Sequence, residues 1–228
     1  VVTNMEQILF RYHLLTPQGW TTQKRLLKSI PLAQDIAFRM PFGIRDLIPS
    51  ATGVVQGYFT TKPNLNNDEA KHYNWFFSQI TPFHVQAKLG HHNTLVWVTD
   101  FATGLPVSGV DVSVYRDTYA PDKSGHEPLA FAITDQKGIA LLPGTKTLDP
   151  ELQHAYVYGD YQGESRFFVQ CQKDQDLALL PLDSNFRVSM YDLTQDYSIY
   201  PDMRPKYGHI HTWGTTAQGV YKVGDTVQ

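Results

Sequence analysis

One cysteine, Cys171, is all the thiol this 228-residue chain holds. A single thiol closes no internal disulfide. Cysteine poverty is shared by cytoplasmic proteins and many bacterial periplasmic ones, so it leaves the compartment open. Charge is sparse as well: 18% of the residues are Asp, Glu, Lys or Arg, and the formal net charge is −3. There is no basic run or stripe, which argues against nucleic acid as a partner. No apolar run approaches the roughly 20 residues that span a bilayer, so no direct membrane contact is expected from this segment. Val1-Val2-Thr3-Asn4-Met5 lacks the basic and apolar regions of a secretory leader. No Gly-x-Ser-x-Gly elbow and no P-loop occurs; Val107-Ser108-Gly109 and Lys123-Ser124-Gly125 read as turns. Fourteen prolines and 16 glycines argue against long helices.

What is present is alternation at period two. Hydrophobic residues make up 42% of the chain, enough for a sizeable core. PFHVQAKLG (82–90) sets Phe83, Val85, Ala87 and Leu89 on one face. VDVSVYRD (110–117) does the same with Val110, Val112 and Val114, and ESRFFVQCQ (164–172) with Phe167, Val169 and Cys171. ILFRYHLL (8–15), IAFRMPF (36–42) and GVVQGYFTT (53–61) are further strand candidates. TLVWVTDF (94–101) is apolar on both faces, which predicts a central strand packed on two sides and a core role for Trp97. Between AFAIT and IALLP, Asp135-Gln136-Lys137-Gly138 has the type I turn pattern. The best helix candidate is NNDEAKHYNWFF (66–77), capped by Asn66 or Asn67, with a polar inter-domain loop as the alternative.

Short strands with frequent Gly, Pro, Asp and Asn turns predict an all-β sandwich or barrel. The pattern divides the chain into three. Residues 1–80 hold about four strands, few for a complete sandwich. Residues 81–183 hold a set of about seven, and 184–228 a Tyr-, Asp- and Pro-rich connection with an opening strand.

The order of two motifs is familiar. LVWVTDFATGLPVSGVDVSVYRD (95–117), followed by TDQKGIALLP (134–143), reads as strand, T-G-x-P-V-x-G bend, valine strand and T-D-x-x-G hairpin. TTAQGVYKVGDTVQ (215–228) follows as a further strand opening. In these segments the chain resembles the bacterial α2-macroglobulins, over most of residues 80–228. The closing segment departs from the family's opening, with Ala217 or Gln218 and Val223 where Arg and Pro are usual. The resemblance implies tandem macroglobulin-like (fibronectin III/Ig-like) antiparallel β-sandwich domains. It implies that Gln228 ends the first strand of a next module. It further implies a framework role in an inhibitor that traps proteases by conformational change once a bait segment is cut. The partners implied are neighbouring macroglobulin modules and, through the full-length protein, target proteases. The location implied is the periplasm, with a lipoprotein anchor to the inner membrane.

Tested residue by residue, this segment carries none of the family's chemistry. Cys171 is followed by Gln172-Lys173-Asp174, not by the Gly-Glu-Gln of a thioester, and reads as a core cysteine. His209 and His211 share a strand face and His91-His92 a turn, but no third ligand is in register for a metal. His84 and His154 read as polar-face residues. Asp174-Gln175-Asp176 and Asp122-Lys123-Ser124-Gly125 lack the ligand density of a calcium loop. No catalytic, cofactor, metal or thioester residue is therefore assigned, and no enzyme activity is expected. Of Trp20, Trp75, Trp97 and Trp213, Trp75 heads Trp75-Phe76-Phe77 at the proposed junction and predicts an inter-module contact. SMYDLTQDYSIYPDMRPKYGH (189–209) offers Arg204 and Lys206 to trypsin-like enzymes, yet reads as an inter-module connection. The rival readings are an Ig-like adhesion or glycan-binding module and, more remotely, a metal-assisted enzyme.

Overall fold

Alternation becomes strand in nearly every stretch where the sequence shows it. The computed structural model describes residues 4–30, 35, 41–63, 74–116, 127–151, 154, 167–182 and 186. Its first sheet is built from β1 (Gln7–Thr16), β2 (Gly19–Trp20), β3 (Lys24–Ser29), β4 (Gly53–Lys62) and β5 (Asn74–Ile80). The order is β2-β1-β4-β5, and β3 also pairs with β1, all antiparallel. On one face Ile8, Phe10, Tyr12 and Leu14 of β1 and Val55 of β4 form a core. The β3–β4 connection covers it with Phe42, Ile44, Leu47 and Ile48. Phe10 stacks on Phe42 with ring centroids 4.5 Å apart. Burial also pushes the Tyr12 phenol above its usual range.

Seven further strands make a sandwich: β6 (Phe83–Leu89), β7 (Asn93–Asp100), β8 (Asp111–Arg116), β9 (Ala130–Ile133), β10 (Ile139–Pro143), β11 (Phe167–Lys173) and β12 (Asp176–Pro181). One sheet has the order β10-β7-β6 and the other β12-β11-β8-β9. This is the three-on-four arrangement of an Ig-like β-sandwich. The core between them holds Val96, Val98, Val110, Val112, Val114, Phe167, Val169, Cys171 and Ala178. Each alternation named for β6, β8 and β11 faces inward as expected.

The two motifs are the joints of this sandwich. After β7 the Asp100 carboxylate accepts from the Thr103 backbone N–H (2.8 Å) and hydroxyl (2.7 Å). Those hydrogen bonds hold the carboxyl below its usual pKa. Gly104 turns the bend at φ +73°, and Val107 N–H donates back to Val98 (3.0 Å) as the chain crosses to the other sheet. Thr134, the threonine of the T-D-x-x-G motif, is 4% exposed. Its hydroxyl donates to the Val107 carbonyl and accepts from Val110 N–H, at 2.8 and 2.9 Å. One buried hydroxyl therefore satisfies two backbone groups that the crossover leaves unpaired. Asp135 Oδ1 then accepts from Lys137 and Ile139 N–H, closing the hairpin.

Three expectations are revised. Residues 74–77 open strand β5 rather than ending a helix; 64–73 lie outside the described residues. Pairing with β4 across Tyr58–Trp75 and Gln56–Phe77 overrides the weak local helix signal. Trp97 is 38% exposed and lies on the outer face of β7, between Gln86 and Ile139. Its indole N–H donates to the Lys137 carbonyl, 3.1 Å away. Strand β7 is packed chiefly on the opposite side, through Thr94, Val96 and Val98, and Trp97's side is buried only at Thr99, which bridges Pro106. Of the strand expected over 36–42, residues 36–40 lie outside the described set, and Pro41 and Phe42 are not strand. Phe42 belongs to the cover of the first sheet.

Candidate functional site

One strand with both faces buried is β12, Asp-Leu-Ala-Leu-Leu-Pro. Ala178 and Leu180 point into the sandwich core. Leu177 and Leu179, each 0% exposed, point the other way, into a third cluster with Leu15, Val54 and Phe168. Trp20, Phe77 and Tyr115 pack around that cluster. Leu15 and Val54 come from the second face of the first sheet, opposite the face covered by Phe42 and Leu47. The site is therefore a junction between the first sheet and the outer face of β11–β12. Burying one leucine here is worth about 1.5–3 kcal/mol relative to leaving it in water.

Polar contacts fix the register of the junction. Gln79 Oε1 of β5 accepts from Leu179 N–H (3.0 Å), capping a backbone donor of β12. The Thr52 hydroxyl donates to the Gln175 carbonyl (2.7 Å) in the β11–β12 turn. Gln172 Nε2 donates to the Pro17 carbonyl (3.5 Å) in the β1–β2 turn. Tyr115 stacks on Phe168 at 5.2 Å, flattening the sandwich side of the contact. An apolar centre with a rim of side-chain-to-backbone bonds excludes water and admits one relative orientation.

Trp75-Phe76-Phe77, read as a junction contact, is divided by the strand period. Phe77 joins the junction, Phe76 joins the first sheet's own core, and Trp75 is 65% exposed. Trp20 packs at the junction. Sequence reasoning did not single out β12, Gln79 or Thr52. The unbroken apolar run Leu177–Pro181 was the signal for a two-sided strand.

The chemical candidates stay apart. His91 and His92 sit edge to face, 4.8 Å between centroids, with the Thr145 hydroxyl 3.4 Å from His91 Nδ1. His84 packs on Phe101 and His154 on Phe167. Asp174 and Asp176 belong to the β11–β12 turn, Asp174 with φ 53°. Among the described residues no three His, Cys, Asp or Glu side chains converge as metal ligands. Asp122–Gly125, 189–209, His209, His211 and Trp213 lie outside the described residues. Ser108 offers its carbonyl to Lys173 Nζ at 2.7 Å, as turn backbone.

Cys171 is 0% exposed, and burial pushes its thiol pKa up to about 12. A native-state thiol reagent at pH 8 is expected to leave it unmodified, because the nucleophile is the thiolate. The raised pKa also sets a pH limb. In the unfolded chain the thiol ionises near 9 and in the folded chain near 12. Its contribution is complete below pH 9 and is lost as pH rises from about 9 to about 12. Over that window wild type should lose stability relative to Cys171→Ala by about 1.4 kcal/mol per pH unit. Parallel alkaline limbs in the two proteins would remove Cys171 as the cause.

The described residues thus form an Ig-like sandwich of three strands on four, joined face-on to a further β-sheet. The profile of the bacterial alpha-2-macroglobulin MG3 domain matches residues 80–197. That is over half of the chain, and the chain belongs to the bacterial alpha-2-macroglobulin family. Two solved structures resemble it. One is native alpha-2-macroglobulin from Escherichia coli spanning domains NIE-MG1, 14% identical, with 79% of this chain and 85% of that chain covered and a TM-score of 0.48. The other spans MG0-NIE-MG1 of the same protein, 15% identical, with a TM-score of 0.47. It is matched over 79% of this chain, and this chain spans 56% of its length. No curated protein matches the chain.

Proposed function

We propose that this chain is part of the framework of a protease-trapping macroglobulin. The observation that carries the reading is β12, which belongs to the sandwich through Ala178 and to the junction through Leu177 and Leu179. A strand shared in this way transmits displacement of one unit to the other as a rigid body. A trap that closes after bait cleavage needs such a connection, since closure must reach parts of the protein distant from the cut. Its chemistry, including any thioester, then belongs to other segments. Target proteases meet the full-length protein, and this segment contributes geometry. The same reading places the full-length protein in the periplasm, anchored to the inner membrane as a lipoprotein.

The test uses the full macroglobulin polypeptide that carries this sequence, mixed with a broad-specificity protease. Cleavage of a large protein substrate should fall while cleavage of a small peptide persists, with a native mobility shift. Equal cleavage of both, with no shift, would sink the trapping reading. One observation favours the glycan-binding alternative. Exposed Trp75 lies edge-on to Tyr58 at 5.3 Å, and the Arg11 guanidinium lies 5.9 Å from the Tyr58 centroid. A glycan whose binding quenches tryptophan emission, and is lost in Trp75→Ala, would support that alternative.

A further inference from the structure

The outer face of the β12-β11-β8-β9 sheet is only half covered. Two rows of side chains cross it from β12 to β9, Leu177–Gln172–Asp111–Ile133 and Leu179–Gln170–Ser113–Phe131, beside a third, Pro181–Phe168–Tyr115, that belongs to the junction. Each of the first two rows has a large apolar residue on either edge strand and polar residues between. At the β12 end the first sheet buries both leucines completely. At the β9 end Phe131 and Ile133 are each 56% exposed, and Leu129 beside them is 41% exposed. Their inward neighbours Ala130 and Ala132 pack on the sandwich core, so β9 is anchored while its outer side chains stand in water.

We propose that the β8–β9 half of this face is a second docking surface, which takes the sheet face of another β-sheet module of the same polypeptide. The surface is continuous with the established junction, in the same sheet, on the same face and along the same rows. It repeats the feature that makes the first junction work, two large apolar side chains at alternate positions of an edge strand. The first sheet shows what such a surface accepts: two aliphatic residues and an aromatic, Leu15, Val54 and Phe77, beside an amide, Gln79. Charge narrows the partner further. Asp111 lies in the Ile133 row, and Asp135 and Glu127 flank the ends of β9; all three are exposed. Of the exposed bases nearby, Arg116 is in register with the inward-facing Phe167, and Lys137 lies in the β9–β10 turn beyond Asp135. Two copies of this chain meeting through this face would bring these carboxylates together, which disfavours a symmetric dimer. A sheet face with an aliphatic–aromatic centre and a Lys or Arg rim satisfies both features.

The proposal rests on the framework reading for the existence of further modules, and its test is separate from protease trapping. A photo-crosslinking phenylalanine analogue is placed at position 131 of the full macroglobulin polypeptide, and the adduct is mapped by mass spectrometry. The expected product joins position 131 to a strand residue of another module in the same chain. It should be lost in Ile133→Asp. In the isolated 228-residue chain, Ile133→Asp should shift Tm by no more than about 2 °C, as for an exposed site. A crosslink to a second copy, to a separate protein, or to solvent alone overturns the proposal, as does an intramolecular crosslink that survives Ile133→Asp. An intramolecular crosslink without protease trapping keeps this surface and removes only the trapping function.

Discussion

Leu179→Asp is expected to part the first sheet from the sandwich while leaving the sandwich folded. Leu179 is 0% exposed and lies in an apolar cluster with Leu15, Val54, Phe168 and Leu177. An unpaired charge at such a position costs about 4 kcal/mol or more, unless the contact opens to water. Opening is the cheaper response, because the sandwich core of Val96, Val98, Val112 and Val169 does not include Leu179. Thermal unfolding, expected as one transition in wild type, should separate into two in the variant. Backbone amides at Leu15 and Val54 should then exchange faster, and those at Val96 and Val98 should stay protected. Ile133→Asp, in a parallel row on the exposed edge of the same face, is the control and should change stability by less than about 0.5 kcal/mol. A single transition that merely moves to lower temperature, with both sets of amides loosened together, would show that the two units fold as one.

The second large effect concerns two glycines with nearly the same backbone. Gly104 has φ +73° and nothing within 4 Å of where a Cβ would stand. Gly138 has φ +72°, but its Cβ would meet the Val98 carbonyl oxygen at 2.3 Å and the Pro106 Cβ at 3.2 Å. Gly104→Ala should cost about 1 kcal/mol, the left-handed strain alone. Gly138→Ala adds a backbone collision where the hairpin lies against β7, and should cost about 3 kcal/mol or more. Denaturant midpoints of the two variants measure the difference directly. Equal costs would mean that β7 moves freely away from the hairpin, contrary to the Val98 N–H bond to Gly138 O at 2.8 Å.

Local pattern revealed the strands and little of what covers them. Val110, Val112 and Val114 were readable as an inward row because alternation carries that information within the strand itself. The Asp135–Gly138 turn was readable because its bonds are local. Trp97 was not, because a strand apolar on both faces does not say which face receives a partner. The same ambiguity ran the opposite way at β12, where the partner is a sheet lying more than 100 residues earlier, as the 123-residue separation of Thr52 and Gln175 shows. The junction depends on Gln79 and Thr52, polar residues whose role exists only once the two units are in place. Cys171 was legible as a core residue because its neighbours Phe167 and Val169 share its period.

The reach from Thr52 to Gln175 also orders events on the ribosome. The face carrying Leu15, Val54 and Phe77 is synthesised early, and the strand that covers it emerges about 100 residues later. At ~5–20 residues per second that is several seconds with an oily surface and no lid. During that interval the nascent chain is a client for a holdase, and its stickiness should end abruptly with the arrival of Leu177 and Leu179. Stalled chains ending just before Asp176 should bind a hydrophobic dye or a holdase. Chains extended past Pro181 and clear of the exit tunnel should release it, and equal binding by both would mean that β12 does not cover the face.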